Sequence, residues 1–272
     1  MLSIGDGIGS ANESGKINVL IPDELLIKDS SDPLCSLVDF LYPYFLQNMK
    51  ILDFFQERRI LAPTLDAVEH VNKFLLSLVP GDEKENISFD LVCKSDENSE
   101  VQSEWFTTEF LNNAKFSDIP NHKLRFKVRC PIMLVRSIDQ ATGLCNGTRL
   151  IVDNLWKNFI GATVITEKNA GEKVIIPRMN LVSSDPKLPF KFTTRQFMLA
   201  LCFAMTINKG QGQSLSLVGT YLFELVFTHG QLYVDVSRIT SKKGLKILIL
   251  DKENRVCTET TNIVYCDVFQ NV

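Results

Sequence analysis

The sequence predicts an α/β protein in which a parallel sheet is interrupted by a small antiparallel β insertion. Three observations support this class: a strand–turn–helix unit near residues 58–78, a second region of strands and a helix over 197–250, and short strand-like runs between them. Strands that alternate with helices favour a parallel sheet, whereas short strands separated by Gly and Asn turns favour an antiparallel sheet or barrel.

The first unit follows a segment of mixed character. Residues 1–50 combine loops, one short strand and a helix around residues 33–49, and we interpret them as an exit segment from a preceding domain. Arg58–Ala62 predicts a buried strand, and Asp66 with Glu69 offers a carboxylate form of the capping box. Apolar residues then recur at helical spacing until Pro80-Gly81: Val68, Val71, Leu75 and Leu78.

The second region begins with the apolar run of residues 197–207, which predicts a strand. A polar turn over 208–212 leads to a further strand at 216–223. A helix at about 229–239 and the hydrophobic strand 245–250 complete the pattern. Between the two regions lie four strand-like runs, which predict the insertion: residues 124–135, 148–153, 159–166 and 173–177.

The charge of the chain is unevenly distributed. The net charge is −3, but residues 1–110 carry 8 basic and 20 acidic residues and the remainder carries 21 and 12, which gives −12 and +9. Between Lys115 and Arg136 there are six basic residues and one acid, Asp118. The asymmetry is compatible with a polyanionic partner for the second half or with a solvated surface.

Cysteine and histidine usage predicts a reducing intracellular compartment and no structural metal. The seven cysteines are scattered and never closer than nine residues, and the three histidines lack partners at metal-ligand spacing. The longest nearly apolar stretch, residues 197–207, is about half of the roughly 20 residues that a membrane span requires. We expect no membrane association and no secretory or transit peptide.

A phosphate-binding P-loop is not predicted, although Ser14-Gly15-Lys16 is suggestive. That motif requires Gly five residues before its Gly-Lys pair and a following Ser or Thr, because the loop cradles phosphates and its hydroxyl holds Mg²⁺. Ser10 occupies the glycine position and Ile17 the hydroxyl position. No nucleophile elbow and no acid pair after an apolar strand is present either.

Two late segments carry the most informative chemistry. Residues 204–213 read as a strand that ends in a turn rich in glycine and amides, which suits phosphate contact and equally suits a structural turn. Residues 229–238 place Gln231 and Arg238 on a helix, where a single arginine is usually a surface charge.

Together these segments resemble motifs V and VI of superfamily 1 helicases. Further blocks are similar to the PIF-type (petite integration frequency) DNA helicases of eukaryotes, relatives of RecD, and the resemblance covers nearly the entire chain. The blocks are RILAPT at 59–64, KLRFKVRCPIMLV at 123–135, GLCNGTRLIV at 143–152, and GQLYV with VSRITS at 230–234 and 236–241.

The resemblance implies the second RecA-like (2A) domain of such a helicase, at residues 51–81 and 189–250, with a linker and inserted 2B barrel at 82–188 and a tail at 251–272. Helicases of this type couple ATP hydrolysis to 5′-to-3′ movement on single-stranded DNA, with ATP and Mg²⁺ held between two RecA-like domains. The P-loop and the magnesium-holding acids belong to the first domain and are not found in these 272 residues.

The same resemblance implies roles for individual residues. Arg238 would be the arginine finger, which stabilises charge on the γ-phosphate. Gln211, Gly212 and Gln231 would line the nucleotide cleft, Tyr233 would pack, and Thr206 and Lys209 would contact the DNA backbone. Three positions depart from the family pattern, namely Leu65 for Asn, Gly210 for Ser, and Asp235 for a small apolar residue.

The insertion supplies its own prediction of a DNA contact. From Leu124 to Cys130 apolar residues alternate with Arg125, Lys127 and Arg129, so a strand here would have one packed face and one basic face. A basic β surface can follow a phosphate backbone, and a solvated strand face is the alternative.

The leading hypothesis is therefore the C-terminal half of a PIF-type DNA helicase, nuclear or alternatively mitochondrial, with no ATPase activity of its own. Its partners would be single-stranded DNA and a polypeptide that carries the first RecA-like domain. Two alternatives stay open: a non-catalytic module that binds single-stranded DNA or a partner, and a relic fragment derived from a transposon.

Overall fold

The computed structural model of the 272-residue chain describes residues 16–28, 31–92, 108–113, 119–166, 169–182, 191–210, 215–223 and 242–263. The chain divides into two compact units. The parallel-sheet unit comprises residues 1–78 and 203–272, and the insertion unit comprises residues 79–202.

The helices and strands of the described residues are numbered in chain order. The helices are α1 (Pro33–Leu41), α2 (Phe45–Asn48), α3 (Leu65–Leu78) and α4 (Thr108–Asn113). The strands are β1 (Lys16–Leu20), β2 (Arg58–Ala62), β3 (Lys84–Ile87), β4 (Phe89–Val92), β5 (Lys123–Phe126), β6 (Pro131–Leu134), β7 (Arg149–Leu155), β8 (Phe159–Val164), β9 (Lys173–Pro177), β10 (Met179–Val182), β11 (Phe192–Gln196), β12 (Leu199–Leu201), β13 (Ala204–Thr206), β14 (Leu217–Leu222), β15 (Leu245–Ile249) and β16 (Glu259–Ile263).

A four-stranded parallel sheet forms the centre of the parallel-sheet unit. Its strand order is β13-β2-β14-β15, and all three pairings are parallel. The second half of strand β2 is apolar and buried, as is typical of a parallel strand covered on both faces, and Ile60, Leu61 and Ala62 are fully inaccessible. The predicted class, a parallel α/β sheet interrupted by an antiparallel insertion, is confirmed.

The prediction of a single strand over residues 197–207 is wrong. This run forms two short strands in different sheets, because β12 pairs antiparallel with β6 and β13 pairs parallel with β2. Phe197, Cys202 and Phe203 are all buried. A uniformly apolar run satisfies burial in either sheet and has no periodicity to mark the break.

Helix α1 packs closely against β14 and also contacts β15. Its buried residues Leu37 and Leu41 approach Gly219 of β14, where an added Cβ would clash with the Cδ1 atom of Leu41 and lie 2.9 Å from the Cδ1 atom of Leu37. Glycine at this position therefore sets the distance between helix and sheet.

The segments predicted as an exit and a tail are paired with each other. Strands β1 and β16 form a two-stranded antiparallel sheet in which Lys16 lies opposite Ile263. Lys16 thus begins a strand, whereas the lysine of a phosphate-binding loop leads into a helix. The predicted helix at 33–49 appears as α1 and α2, which are separated by Tyr42-Pro43-Tyr44.

The insertion unit is built from antiparallel sheets. A five-stranded sheet has the order β12-β6-β7-β8-β9, a three-stranded sheet has the order β10-β11-β4, and β3 pairs with β5. The core of the five-stranded sheet is aliphatic, with Ile132, Leu150 and Ile160 fully buried.

The hydrophobicity of the helices and the state of the cysteines can be compared with the sequence. No helix in the described ranges is long and apolar enough to cross a membrane. The five cysteines in the same ranges are free thiols: Cys35, Cys130, Cys145, Cys202 and Cys257. Burial raises the pKa of Cys130 to about 12, so this side chain stays protonated and packs as a small apolar group.

The close approach at Gly219 predicts a measurable destabilisation. Gly219→Ala should lower the free energy of unfolding by about 1–3 kcal/mol, because the new methyl group forces α1 away from β14. Urea denaturation measures this value. Leu41→Ala supplies the matched partner for a double-mutant cycle: the double variant should lose less stability than the sum of the two single variants. Additive losses would contradict the proposed contact.

Candidate functional site

The carboxyl edge of the parallel sheet gathers the described residues of the first candidate site. Strands β2 and β13 are in register with Ala62 opposite Thr206, so the chain leaves both strands at the same edge. Open α/β sheets bind ligands at this edge, because the loops after the strands converge there. Thr64 and Lys209 follow the two strands within three residues.

The side chains at this edge differ in whether they are free to contact a ligand. The Oγ1 atom of Thr64 accepts a hydrogen bond of 3.1 Å from the backbone N–H of Ala67 and thereby caps α3. Thr206 is half-buried, and Lys209 is exposed in a single 3-10 turn over Ile207–Gly210. A hydroxyl and a lysine at a strand end fit contact with a phosphate group. The two predicted DNA-contacting residues of this unit thus lie at and just after the carboxyl end of β13.

A buried amide holds β13 in place at the edge of the sheet. The side chain of Asn72, on α3, accepts a hydrogen bond of 2.9 Å from the Ala204 N–H and donates one of 3.3 Å to the Ala204 carbonyl. Both backbone groups face away from β2 and would otherwise be unsatisfied in a buried position. Sequence reasoning missed Asn72; a polar residue on the apolar face of α3, one position after Val71, was the available signal.

The other predicted site residues of this unit lie outside the described residues. They are Gln211, Gly212, Gln231 and Arg238, together with Tyr233 and Asp235. Their roles stay predictions. Of the other family departures, Leu65 begins α3 with its side chain 53% exposed, and Gly210 ends the 3-10 turn.

The second candidate site, the basic run of the insertion unit, differs from its prediction. Strand β5 ends at Phe126, and residues 127–130 form a turn instead of continuing the strand. Arg129 adopts a left-handed backbone with φ of 73°, and its N–H donates to the Val152 carbonyl at 2.7 Å. The turn replaces regular alternation, and Val128 is consequently 42% exposed.

The three basic side chains of this run are therefore not equivalent. Arg125 pairs with Glu85 of the neighbouring strand at 3.0 Å and lies 3.6 Å from Glu83. The Nζ atom of Lys127 donates to the Val79 carbonyl at 2.8 Å. Within the described part of the chain, the exposed guanidinium of Arg129 has no acidic partner. Arg129 is consequently the most available of the three for a phosphate.

A buried polar cluster underlies the three-stranded sheet of the insertion unit. The Asp90 carboxylate accepts a hydrogen bond of 2.5 Å from Ser88 Oγ and lies 3.0 Å from the Nδ1 atom of His122. Ser88 Oγ also lies 2.8 Å from the same Nδ1 atom. Because serine and aspartate contact one imidazole nitrogen, the cluster cannot relay a proton as a hydrolytic triad does. Its arrangement is that of a structural network.

A surface cleft of about 400 Å³ lies in the parallel-sheet unit, between Lys28 and the segment from Asn254 to Thr258. Its two cations are paired, Lys28 with Asp23 at 2.7 Å and Arg255 with Asp251 at 2.8 Å. Hydrogen bonds from the Arg255 backbone and side chain lower the pKa of Asp251. The described residues contain no cluster of three or more His, Cys, Asp or Glu suited to a metal ion.

Comparison with known proteins shows that the chain is similar in sequence to DNA helicases. Residues 109–155 match the family model described as "DNA helicase Pif1, 2B domain". The chain is 34% identical over 128 residues to ATP-dependent DNA helicase Pif1 of Bdellovibrio bacteriovorus, covering 46% of this chain and 27% of that protein. It is 32% identical over 129 residues to ATP-dependent DNA helicase PIF1 of Homo sapiens, covering 47% and 20%. The aligned regions thus span less than a third of these relatives.

Solved structures agree on the fold. The chain superposes on the Pif1 helicase of Candida albicans with a TM-score of 0.56 and 20% identity, covering 86% of this chain and 56% of that one. The Bacteroides Pif1 structure bound to ssDNA gives a TM-score of 0.51 and 20% identity, covering 80% and 49%. The RecA-like α/β fold and the resemblance to PIF-type helicases are confirmed.

The two hydrogen bonds between the Asn72 side chain and the Ala204 backbone should contribute measurably to the free energy of unfolding. Asn72→Ala should cost about 1–3 kcal/mol, because a buried N–H of β13 loses its acceptor. Urea denaturation measures the loss, and hydrogen exchange should show faster exchange at the Ala204 amide. Lys73→Ala, at an exposed position on the same helix, is the control and should leave both unchanged. Unaltered exchange at Ala204 in the Asn72 variant would contradict this account.

Proposed function

We propose that this chain, which corresponds to part of a Pif1-type DNA helicase with its 2B domain, contributes single-stranded DNA contacts to an ATP-dependent helicase. The observation that carries the proposal is the 2B match at residues 109–155 in a chain whose other unit has a RecA-like parallel sheet. The relatives are named as ATP-dependent DNA helicases, and one structural neighbour is bound to ssDNA.

The DNA contacts of the proposal come from both units. In the parallel-sheet unit, Thr206 and Lys209 supply a hydroxyl and a cation at the carboxyl edge of the sheet. In the insertion unit, Arg129 supplies the exposed cation, and Arg125 and Lys127 add charge close to the same turn. Phosphate contacts of this kind bind without reading sequence, because every nucleotide presents the same group.

The nucleotide chemistry of the proposal rests on the family resemblance. ATP with Mg²⁺ would be held by a first RecA-like domain, and this chain would contribute Gln211, Gly212, Gln231 and the arginine finger Arg238. Such an arginine stabilises the negative charge that develops on the transferred phosphoryl group. Movement would run 5′ to 3′, and the site of action would be nuclear or mitochondrial.

A non-catalytic role in binding single-stranded DNA is the second candidate function. The exposed Arg129 and the exposed Lys209 favour it, because neither needs nucleotide for contact with a phosphate. This role and the helicase role share the DNA contacts and differ only in whether a nucleotide-binding partner is required.

Oligonucleotide titration tests the DNA contacts. Labelled single-stranded DNA should bind at low salt, and log K should fall linearly with log salt by about 0.7 per phosphate contact. The combined reversal Arg125→Glu, Lys127→Glu and Arg129→Glu should weaken binding. Among single neutral variants, Arg129→Gln should lose most and Arg125→Gln least, since Arg125 already pairs with Glu85. Undetectable binding at low salt would overturn the proposal.

Steady-state ATP hydrolysis tests the nucleotide chemistry. The 272-residue polypeptide with single-stranded DNA should give no turnover above the buffer rate, because its sequence contains no phosphate-cradling loop. Mixing with a polypeptide that carries a first RecA-like domain should produce turnover that Arg238→Ala removes. Robust turnover by the polypeptide alone, or turnover in the mixture that is insensitive to Arg238→Ala, would contradict these assignments.

A further inference from the structure

The three-stranded sheet of the insertion unit presents an exposed face with an unusual composition. Its outward positions, here termed the outer face, are Phe89 and Leu91 of β4, Thr193 and Arg195 of β11, and Asn180 and Val182 of β10. Phe89 is 63% exposed, and Leu91 and Val182 are each 54% exposed. Large apolar side chains that cluster on a surface mark a contact site more often than isolated ones do.

The register of the sheet arranges the outer face in two rows. Phe89 lies directly opposite Arg195, and Arg195 lies directly opposite Asn180, which gives one row of aromatic ring, guanidinium and amide. Leu91, Thr193 and Val182 form the second row. Cross-strand neighbours are about 5 Å apart, so one row extends over roughly 10 Å.

The opposite face of the same sheet is closed and holds buried polar groups beside the buried ring of Phe192. Asp90, Thr194 and Gln196 are buried there. The Nε2 atom of Gln196 donates to the backbone carbonyls of Asn86 and His122 at 3.1 and 3.0 Å. Because these polar groups are satisfied only in this register, the sheet cannot turn Phe89 inward. The exposed aromatic ring is therefore held in a fixed position.

The charge of the outer face is positive. None of its six positions carries an acid. Arg195 is exposed, and among the described residues it has no acidic partner. The pKa of Arg178 is lowered by burial and by repulsion from the charge of Arg195.

We propose that the outer face is a stacking site for single-stranded DNA, with a base on the Phe89 ring and Arg195 on an adjacent phosphate. The proposal rests on the proposed function and adds to it a contact that does not depend on the basic run at 125–129. Bases of single strands stack on aromatic side chains and on guanidinium planes, and side-chain amides form hydrogen bonds with the edges of the bases. A purely apolar partner surface would leave Arg195 desolvated at the centre of the face.

Substitutions that separate stacking from general apolarity test the proposal. With labelled dT15 and the full 272-residue chain, Phe89→Leu should weaken binding about tenfold, because leucine is apolar but offers no ring. Phe89→Tyr should bind within about twofold of the unaltered chain. Arg195→Gln should reduce the slope of log K against log salt by about 0.7, the value for one lost phosphate contact on a single strand.

Matched controls come from the five-stranded sheet of the same unit. Ile175, 67% exposed, and Lys173, also exposed, are apolar and basic residues outside the outer face. Ile175→Ala and Lys173→Gln should leave both the affinity and the salt slope unchanged. Circular dichroism and thermal melting verify that Phe89→Leu is folded. Photocrosslinking with 5-iodouracil in the oligonucleotide should label the peptide that contains Phe89.

The outcomes separate this proposal from the proposed function. If the unaltered chain binds dT15 and Phe89→Leu binds equally well, the stacking site is refuted while the DNA-binding function stands. If the unaltered chain does not bind, both fall. If sedimentation shows a concentration-dependent dimer that Phe89→Leu dissociates while DNA binding is unchanged, the outer face joins two copies of the chain and the stacking site is refuted.

Discussion

The parallel pairing of β13 with β2 is the interaction on which the candidate site depends. It joins segments that are distant in sequence, since Ala204 lies opposite Ile60 and Thr206 opposite Ala62. Among the described strands β13 lies at the edge of the sheet, and the Asn72 amide satisfies the outward backbone groups of Ala204. The insertion unit lies between these segments in the sequence, so the chain must return to β2 in register after 141 residues of other structure.

The acidic first part and the basic second part of the sequence contact each other in the insertion unit. The acidic first part and the basic second part carry −12 and +9, yet they meet across the β3–β5 pair, where Glu85 lies directly opposite Arg125. Part of the basic character of the insertion is thereby neutralised within the unit. An exposed ion pair of this kind contributes little stability, about 0–1 kcal/mol, and its larger effect is to reduce the attraction of Arg125 for phosphate. Counting charge along the sequence therefore overestimates the basic surface.

The sequence predicted those elements that have a clear hydrophobic pattern. β2, α3, β14 and β15 appear close to their predicted bounds, because continuous apolar runs and helical spacing identify them directly. Two kinds of feature were not predictable. The break between β12 and β13 lies inside an apolar run, where hydrophobicity is uniform. Strand β4 was not predicted, and its large apolar residues Phe89 and Leu91 point outward, because the hydrogen bonds of Ser88, Asp90 and His122 hold the polar residues inside.

The candidate site was predictable to a similar extent. A strand followed by a polar turn placed Thr206 and Lys209 at a carboxyl edge, and the sheet register agrees with that placement. The basic run was predicted as a continuous strand, since alternation gives no sign of a left-handed residue such as Arg129. Arginine is rare in that conformation, so the turn depends on bonds to Val152, a residue more than twenty positions away in the sequence.

The Asn72 side chain also determines how the sheet can interact with other chains. A strand at the margin of a sheet normally offers free N–H and C=O groups, onto which an extended segment of another molecule can add. At Ala204 both groups are already occupied by the amide. Among the described strands, helix α3 thus blocks strand addition at Ala204, and it does so with one side chain.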